Sequence, residues 1–147
     1  MYRNKTATRI LSLLTALLLL TAPLTACSGG VTREETQAAS EALFAALSNA
    51  DYEAVSAMFH PDKTMSTDKL SSYCEMLVTD YGVDLTEGAT IERYTGMKSA
   101  YYDSEVRGSL YELVMDVKVG EITAVFRVQV VRSDTGFGIW NFAFVRP

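Results

Sequence analysis

Two alternating segments set back to back about a single glycine constrain the fold of this chain more than any other feature. Between residues 106 and 119, Tyr111, Leu113, Met115 and Val117 fall on one face of an extended backbone, and Glu112, Val114, Asp116 and Lys118 on the other. After Gly120, Ile122, Ala124, Phe126, Val128 and Val130 alternate in the same way with Thr123, Val125, Arg127, Gln129 and Val131. A period of two does not make an amphipathic helix, so the pair predicts an antiparallel hairpin that turns at Gly120. The expected register sets Val117 opposite Ile122, Met115 opposite Ala124 and Leu113 opposite Phe126, with Glu112 across from Arg127 on the outer face. A slip of one residue would put the two faces out of step. Ile91, Arg93, Thr95 and Met97, alternating with Glu92, Tyr94 and Lys98, predict a strand before the hairpin. Residues 133–138 make a second turn, and residues 139–145 a last strand with Trp140, Phe142 and Phe144 on one side. The sheet is an antiparallel meander.

Upstream of residue 82 the period is helical. Thr32 and Glu35 form a capping box, and Ala38, Ala39, Ala42, Leu43, Ala46 and Leu47 recur on one face of the helix that follows. Asp51 caps a shorter helix running to about Phe59, with Tyr52, Val55 and Phe59 inward, and Pro61 ends it at His60. Ser66 or Thr67 caps a third, along which Leu70, Cys74, Leu77 and Tyr81 share a stripe and which Gly82 closes as a left-handed cap. Helices followed by an antiparallel sheet define an α+β class, with the helices packed on one face of a curved sheet.

Residues 1–26 stand apart from this pattern. Arg3, Lys5 and Arg9 precede thirteen uncharged residues, 10–22, and Pro23 breaks the run. Thirteen residues are too few for an ordinary membrane span of about 20, and the order of charge, apolar run and small residues is that of a signal peptide. Leu24, Thr25, Ala26 and Cys27 match, position by position, the lipobox of bacterial lipoproteins. That resemblance implies cleavage before Cys27, a diacylglyceryl thioether on Cys27, and a lipid-anchored protein on the extracytoplasmic side of the cell membrane. Two acyl chains on one residue suffice for stable anchoring. The expected organisation is a signal peptide over 1–26, a short tether over 27–31 and one α+β domain over 32–147.

Without Arg3, Lys5 and Arg9 the 13 cations fall to 10 against 18 acidic residues, a formal charge of −8. A domain this acidic has no basic stripe for phosphates, so no nucleic acid is expected, nor electrostatic docking on anionic lipid. With Cys27 alkylated, Cys74 is the one cysteine left and no intramolecular disulfide is available.

The stretch from Ser48 to Phe59 and the closing Gly138-Ile139-Trp140-Asn141-Phe142 resemble the nuclear transport factor 2-like superfamily, in particular its small envelope lipoproteins of unknown function. The resemblance covers roughly residues 31–147. It implies a cone of strongly curved sheet around an apolar interior, a scaffold used by isomerases, dehydratases and many non-catalytic binding or dimerisation domains. It carries over no catalytic residue.

The residues themselves offer little chemistry. His60 is the lone histidine, so neither a histidine metal cluster nor a triad with a second imidazole can be assembled; beside Pro61 it reads as a surface residue or a cation at a helix end. Cys74 is a nucleophile in principle, but its place on an apolar stripe makes it a buried hydrophobe. Gly136-Phe137-Gly138 leads into a strand and opens no helix for a phosphate. The acidic residues show no calcium-loop spacing. Tyr101 and Tyr102 belong either to a binding loop or to a hairpin packed over the sheet edge. No catalytic set, no metal site and no cofactor is expected. Three functional classes remain: a non-catalytic binding domain for a small apolar ligand or a protein partner, a small pocket enzyme of the isomerase or dehydratase type, and a structural lipid-tethered dimerisation domain. The candidate partner-facing surface is the outer face of the sheet around Glu112 and Arg127, where valines alternate with long polar chains.

Overall fold

The computed structural model describes residues 29–145, and its first helix starts where the sequence places a cap. In α1 (Arg33–Ser48) the Thr32 hydroxyl accepts from the Glu35 amide at 3.2 Å, and the Glu35 carboxylate accepts from the Thr32 amide at 2.9 Å. The buried stripe of α1 is Thr36, Ser40, Leu43, Phe44, Ala46 and Leu47, so Leu43, Ala46 and Leu47 lie inward as expected and Ala39 packs partly against the core, whereas Ala38 and Ala42 are exposed and the stripe is centred further toward Phe44. Two hydroxyls sit in the core because each donates to the carbonyl four residues back, Thr36 to Thr32 at 2.9 Å and Ser40 to Thr36 at 2.7 Å. The rotation brings Phe44 onto the sheet, where its ring meets Phe126 edge-on at 5.2 Å. Asp51 caps α2 (Tyr52–Ala57), and Ser66 caps α3 (Thr67–Tyr81), which ends on Gly82 at φ +66°.

The four strands β1 (Ala89–Asp103), β2 (Gly108–Val119), β3 (Ile122–Ser133) and β4 (Gly136–Val145) pair in sequence order, all antiparallel. The architecture is α+β, helices on one face of a curved antiparallel meander, as the sequence predicts. The hairpin register differs from the expectation by two residues: Val119 faces Ile122, Val117 faces Ala124, Met115 faces Phe126 and Leu113 faces Val128. The turn is tighter than supposed. Gly120 and Glu121 alone make it, with Gly120 at φ +56° as the first central residue of a two-residue loop. An even shift leaves each face intact, so the core assignment survives, whereas the Glu112–Arg127 pairing does not: Glu112 faces Gln129, and Arg127 faces Val114.

β-Bulges correct two further expectations. In β1, Glu92 and Thr95 are extra residues, so Tyr94 joins Ile91 and Met97 on the side facing Met115, Val117 and Leu113, while Arg93 turns to the outer face beside Asp116. In β4 the ladder slips between Gln129 and Val130, which reverses Trp140 relative to Phe142 and Phe144. Trp140 packs outward on Val106, Leu110 and Val131, whereas Phe142 stacks inward on Phe126 at 5.4 Å and Phe144 meets it edge-on at 5.5 Å. The space between the helices and the sheet is thus occupied by aromatic rings.

The β4 edge is covered. The His60 amide donates to the Ile139 carbonyl and the Ile139 amide to the Met58 carbonyl, both at 2.9 Å, and the Phe144 amide donates to the Tyr73 hydroxyl at 2.7 Å. This crossing requires Gly138, since a Cβ there would stand 2.6 Å from the His60 nitrogen. The β1 edge carries the bulges that discourage continuous pairing with a further strand.

Candidate functional site

The outer face of the sheet is built from rows that run across the strands. One row is Gly96, Val114, Arg127 and Ala143; the next is Lys98, Glu112, Gln129 and Asn141. Val106, Leu110, Val131 and Trp140 form a cluster on this face, and Lys63 Nζ stands 5.4 Å over the Trp140 ring. Glu112 is the centre of the polar part. Its carboxylate accepts from the Gln129 amide and lies 3.6 Å from Arg127 Nε, a diagonal contact made possible by the two-residue register shift. That separation is an ion pair and not a hydrogen bond, so the buried Nε of Arg127 keeps no acceptor. The Glu112 side chain is only 13 % exposed and that of Arg127 42 %. One row along, Arg93 Nε donates to the buried Asp116 carboxylate at 2.5 Å. The structure therefore keeps both predicted surface residues on one face, adjacent but diagonal, within a half-apolar surface.

Cys27 lies outside the described residues, as do the signal-peptide residues 1–26. The point at which the chain joins the domain is well fixed. Arg132 Nη1 donates to the carbonyls of Gly29 and Gly30 at 3.3 Å each, Nη2 to Glu35 at 2.6 Å, and the Val31 amide donates to the Ser109 hydroxyl at 2.9 Å. Burial acts to raise the Glu35 carboxyl, but the hydrogen bonds from Arg132 and from the Thr32 amide outweigh it and hold the group below its ordinary value. Nothing in the sequence marks Arg132 for this role, since its partners are about a hundred residues away.

His60 corrects the sequence expectation most sharply, for its side chain is fully buried. Nδ1 accepts from the Asp62 amide at 3.1 Å, and Nε2 lies 3.0 Å from the Ser133 hydroxyl and 3.1 Å from the Gly136 carbonyl. Ser133, His60 and Asp62 thus sit together, and the hydrogen bonds decide what they can do. With Nδ1 accepting, the proton is assigned to Nε2, which then donates toward the hairpin and has no lone pair to take a proton from Ser133. The cluster ties the turn Pro61–Lys63 to the β3–β4 hairpin, and Trp140 closes it edge-on at 5.2 Å.

Cys74 is half-buried where the sequence predicts full burial, because α3 presents it to a cleft of about 100 Å³ shared with Leu47, Tyr52, Glu75, Val78 and Asp84. Burial pushes its thiol up, opposed by a hydrogen bond with Tyr52 and reinforced by the Asp84 carboxylate. The thiol is the resting form at neutral pH, and the cleft is well below the ~300 Å³ of a small-ligand pocket. Tyr101 and Tyr102 end β1 at 78 % and 66 % exposure, so they do not pack over the sheet. Among the described residues no group of three or more His, Cys, Asp or Glu side chains is arranged to hold a metal ion. No protein-family model matches the chain, and no curated protein matches it.

Proposed function

We propose that this chain is a lipid-anchored protein of the cell envelope, held at the extracytoplasmic side of the membrane through Cys27, whose domain binds a protein partner through the outer face of its sheet. The anchor rests on the sequence Leu24-Thr25-Ala26-Cys27 after its charged and apolar leader. The observation that carries the binding role is the outer face itself, where Glu112 holds both Gln129 and Arg127 beside Val114 in a half-apolar surface. A second copy of the chain is the first partner to test, since one such surface can meet itself about a twofold axis. The helix-then-meander order supports a nuclear transport factor 2-like cone as the finer description of the fold. A small apolar ligand is the weaker reading, because Phe44, Phe126, Phe142 and Phe144 occupy the interior. The pocket-enzyme reading lacks a buried inward carboxylate on the paired strands β2 and β3.

Replacing the anchor tests the first half of the proposal. Cys27→Ala is expected to abolish membrane association, with the chain recovered as uncleaved precursor or in the soluble fraction, because the acidic domain has no basic patch and no helix among the described residues is long and apolar enough to cross a membrane. Recovery of Cys27→Ala in the membrane fraction at mature length overturns the lipid anchor.

A further inference from the structure

We infer that the end of the domain carrying Tyr101, Tyr102 and Phe137 rests in the membrane interface, so that the lipid anchor fixes the orientation of the protein as well as its location. The inference rests on the proposed acylation of Cys27 and adds to it a surface of the folded domain.

Geometry brings this end to the membrane. Three Cα steps separate Cys27 from Gly30, and at 3.8 Å each they span at most roughly 11 Å. Gly29 and Gly30 are not free to swing out from the domain, because Arg132 holds both carbonyls and Ser109 holds the next amide. Whatever surface surrounds Gly30 is therefore brought close to the lipid headgroups. Aromatic side chains surround it. A Cβ on Gly30 would stand 3.4 Å from the Tyr101 ring, Tyr102 follows in the chain, and the Phe137 ring lies under the Arg132 guanidinium at 4.9 Å.

All three rings are exposed, Phe137 at 43 %, although the interior of the same domain takes up its other phenylalanines wholly or in part. Large exposed rings with an amphipathic or cation-capped edge are suited to the headgroup region, where an apolar body and a wet rim are both satisfied. Charge does not provide the attraction. In the two turns at this end Arg107 and Arg132 are offset by Asp103, Glu105 and Asp134, and the domain as a whole is acidic. Zwitterionic lipid is thus the surface that fits, and contact is made by insertion of rings. At 3.4 Å per residue β2 carries the chain about 37 Å to its other end, which places Lys118 and the Gly120 turn far out in the aqueous phase.

The test uses the full chain, acylated in cells, in a Cys74→Ala background so that one introduced thiol is labelled. Tyr102→Cys and Lys118→Cys, both at exposed sites, each carry a bimane fluorophore, and the protein is reconstituted in phosphatidylcholine vesicles with Cys27→Ser forms as lipid-free controls. The expected result is a blue-shifted emission and a several-fold loss of iodide quenching at residue 102, with residue 118 unchanged. Equal quenching at both sites overturns the membrane contact, and so does protection of residue 102 that is already present in the lipid-free control, which would mark a second copy at that end. A mass spectrum of the N-terminal peptide separates the two levels: acylated Cys27 with an unprotected residue 102 overturns the orientation alone, and unmodified Cys27 overturns the anchor and the orientation together.

Discussion

The two faces of β2 and β3 alternate residue by residue along the same strands, yet ten apolar side chains fall on the inner face and only four, Leu110, Val114, Val125 and Val131, on the outer, and the two faces do opposite work. On the inner face Leu113, Met115, Val117, Phe126 and Val128 are buried under helices and against aromatic rings from both layers. On the outer face Glu112, Val114, Val125, Arg127 and Gln129 are only half-buried, and their contacts are with one another. The difference teaches that the composition of a face and what covers it act together on this sheet, since the apolar inner face lies under the helices while on the outer face Leu110 and Val131 are buried only where Trp140 packs on them. Inner positions stabilise the fold; outer positions hold a surface in one arrangement.

The largest test of that contrast removes an inner ring. Phe126 is fully buried and touches Phe44, Phe142 and Phe144. Phe126→Ala is expected to destabilise the domain by about 3–5 kcal/mol, as large-to-small changes in packed cores do. Chemical denaturation gives the value, and a loss below about 1 kcal/mol would mean that the interior is loosely filled and that the ligand-pocket reading is the better one.

A middle-sized effect is expected at the seam between the layers. His60→Ala deletes the ties to Ser133, Gly136 and Asp62 and leaves a void beside Trp140. The expected loss is about 2 kcal/mol, because buried partners lose their hydrogen bonds while those near the surface regain water. Fluorescence of the single Trp140 should shift with it and report the opened seam directly. A variant of unchanged stability and emission would show that the cluster is not a structural clamp, and Ser133 would need to be tested for reactivity.

What the sequence revealed of this arrangement follows the range of the interactions. The capping box of Thr32 and Glu35, the Ser66 cap and the Gly82 terminus were readable because each is settled within a few residues. The faces of β2 and β3 were readable because a period of two survives any even shift, whereas their register depended on how many residues the Gly120 turn contains. Bulges at Glu92, Thr95 and Trp140 leave no mark in the alternation, which groups Trp140 with Phe142 and Phe144 and sets Tyr94 opposite Ile91 and Met97, both the reverse of the observed arrangement. The burial of His60 and the Arg132 clamp were beyond reach for a simpler reason: their partners lie more than seventy residues away. Of the candidate site, Glu112 and Arg127 were placed on the correct face, but as direct rather than diagonal neighbours.

The smallest expected effect is also the one that separates the faces most cleanly. Arg127 is partly exposed and lies 3.6 Å from Glu112 without a hydrogen bond, so its contribution to the monomer is that of a surface ion pair, under about 1 kcal/mol. Arg127→Ala should therefore leave the melting temperature of the isolated domain within a few degrees of wild type. Association should respond differently. When a partner covers the face, Glu112 is desolvated, and removing Arg127 leaves its carboxylate with Gln129 alone; weakening by about 2 kcal/mol or more is expected, roughly thirtyfold in dissociation constant. Sedimentation of wild type and Arg127→Ala over a range of concentrations measures this if the partner is a second copy. Lys118→Ala, an exposed change at the far end of β2 from Gly108, serves as the control that should alter neither quantity. A wild type that stays monomeric throughout removes the second copy as partner. An association that forms and is indifferent to Arg127 removes the outer face as its site, and the contrast between the two faces would then reduce to solubility.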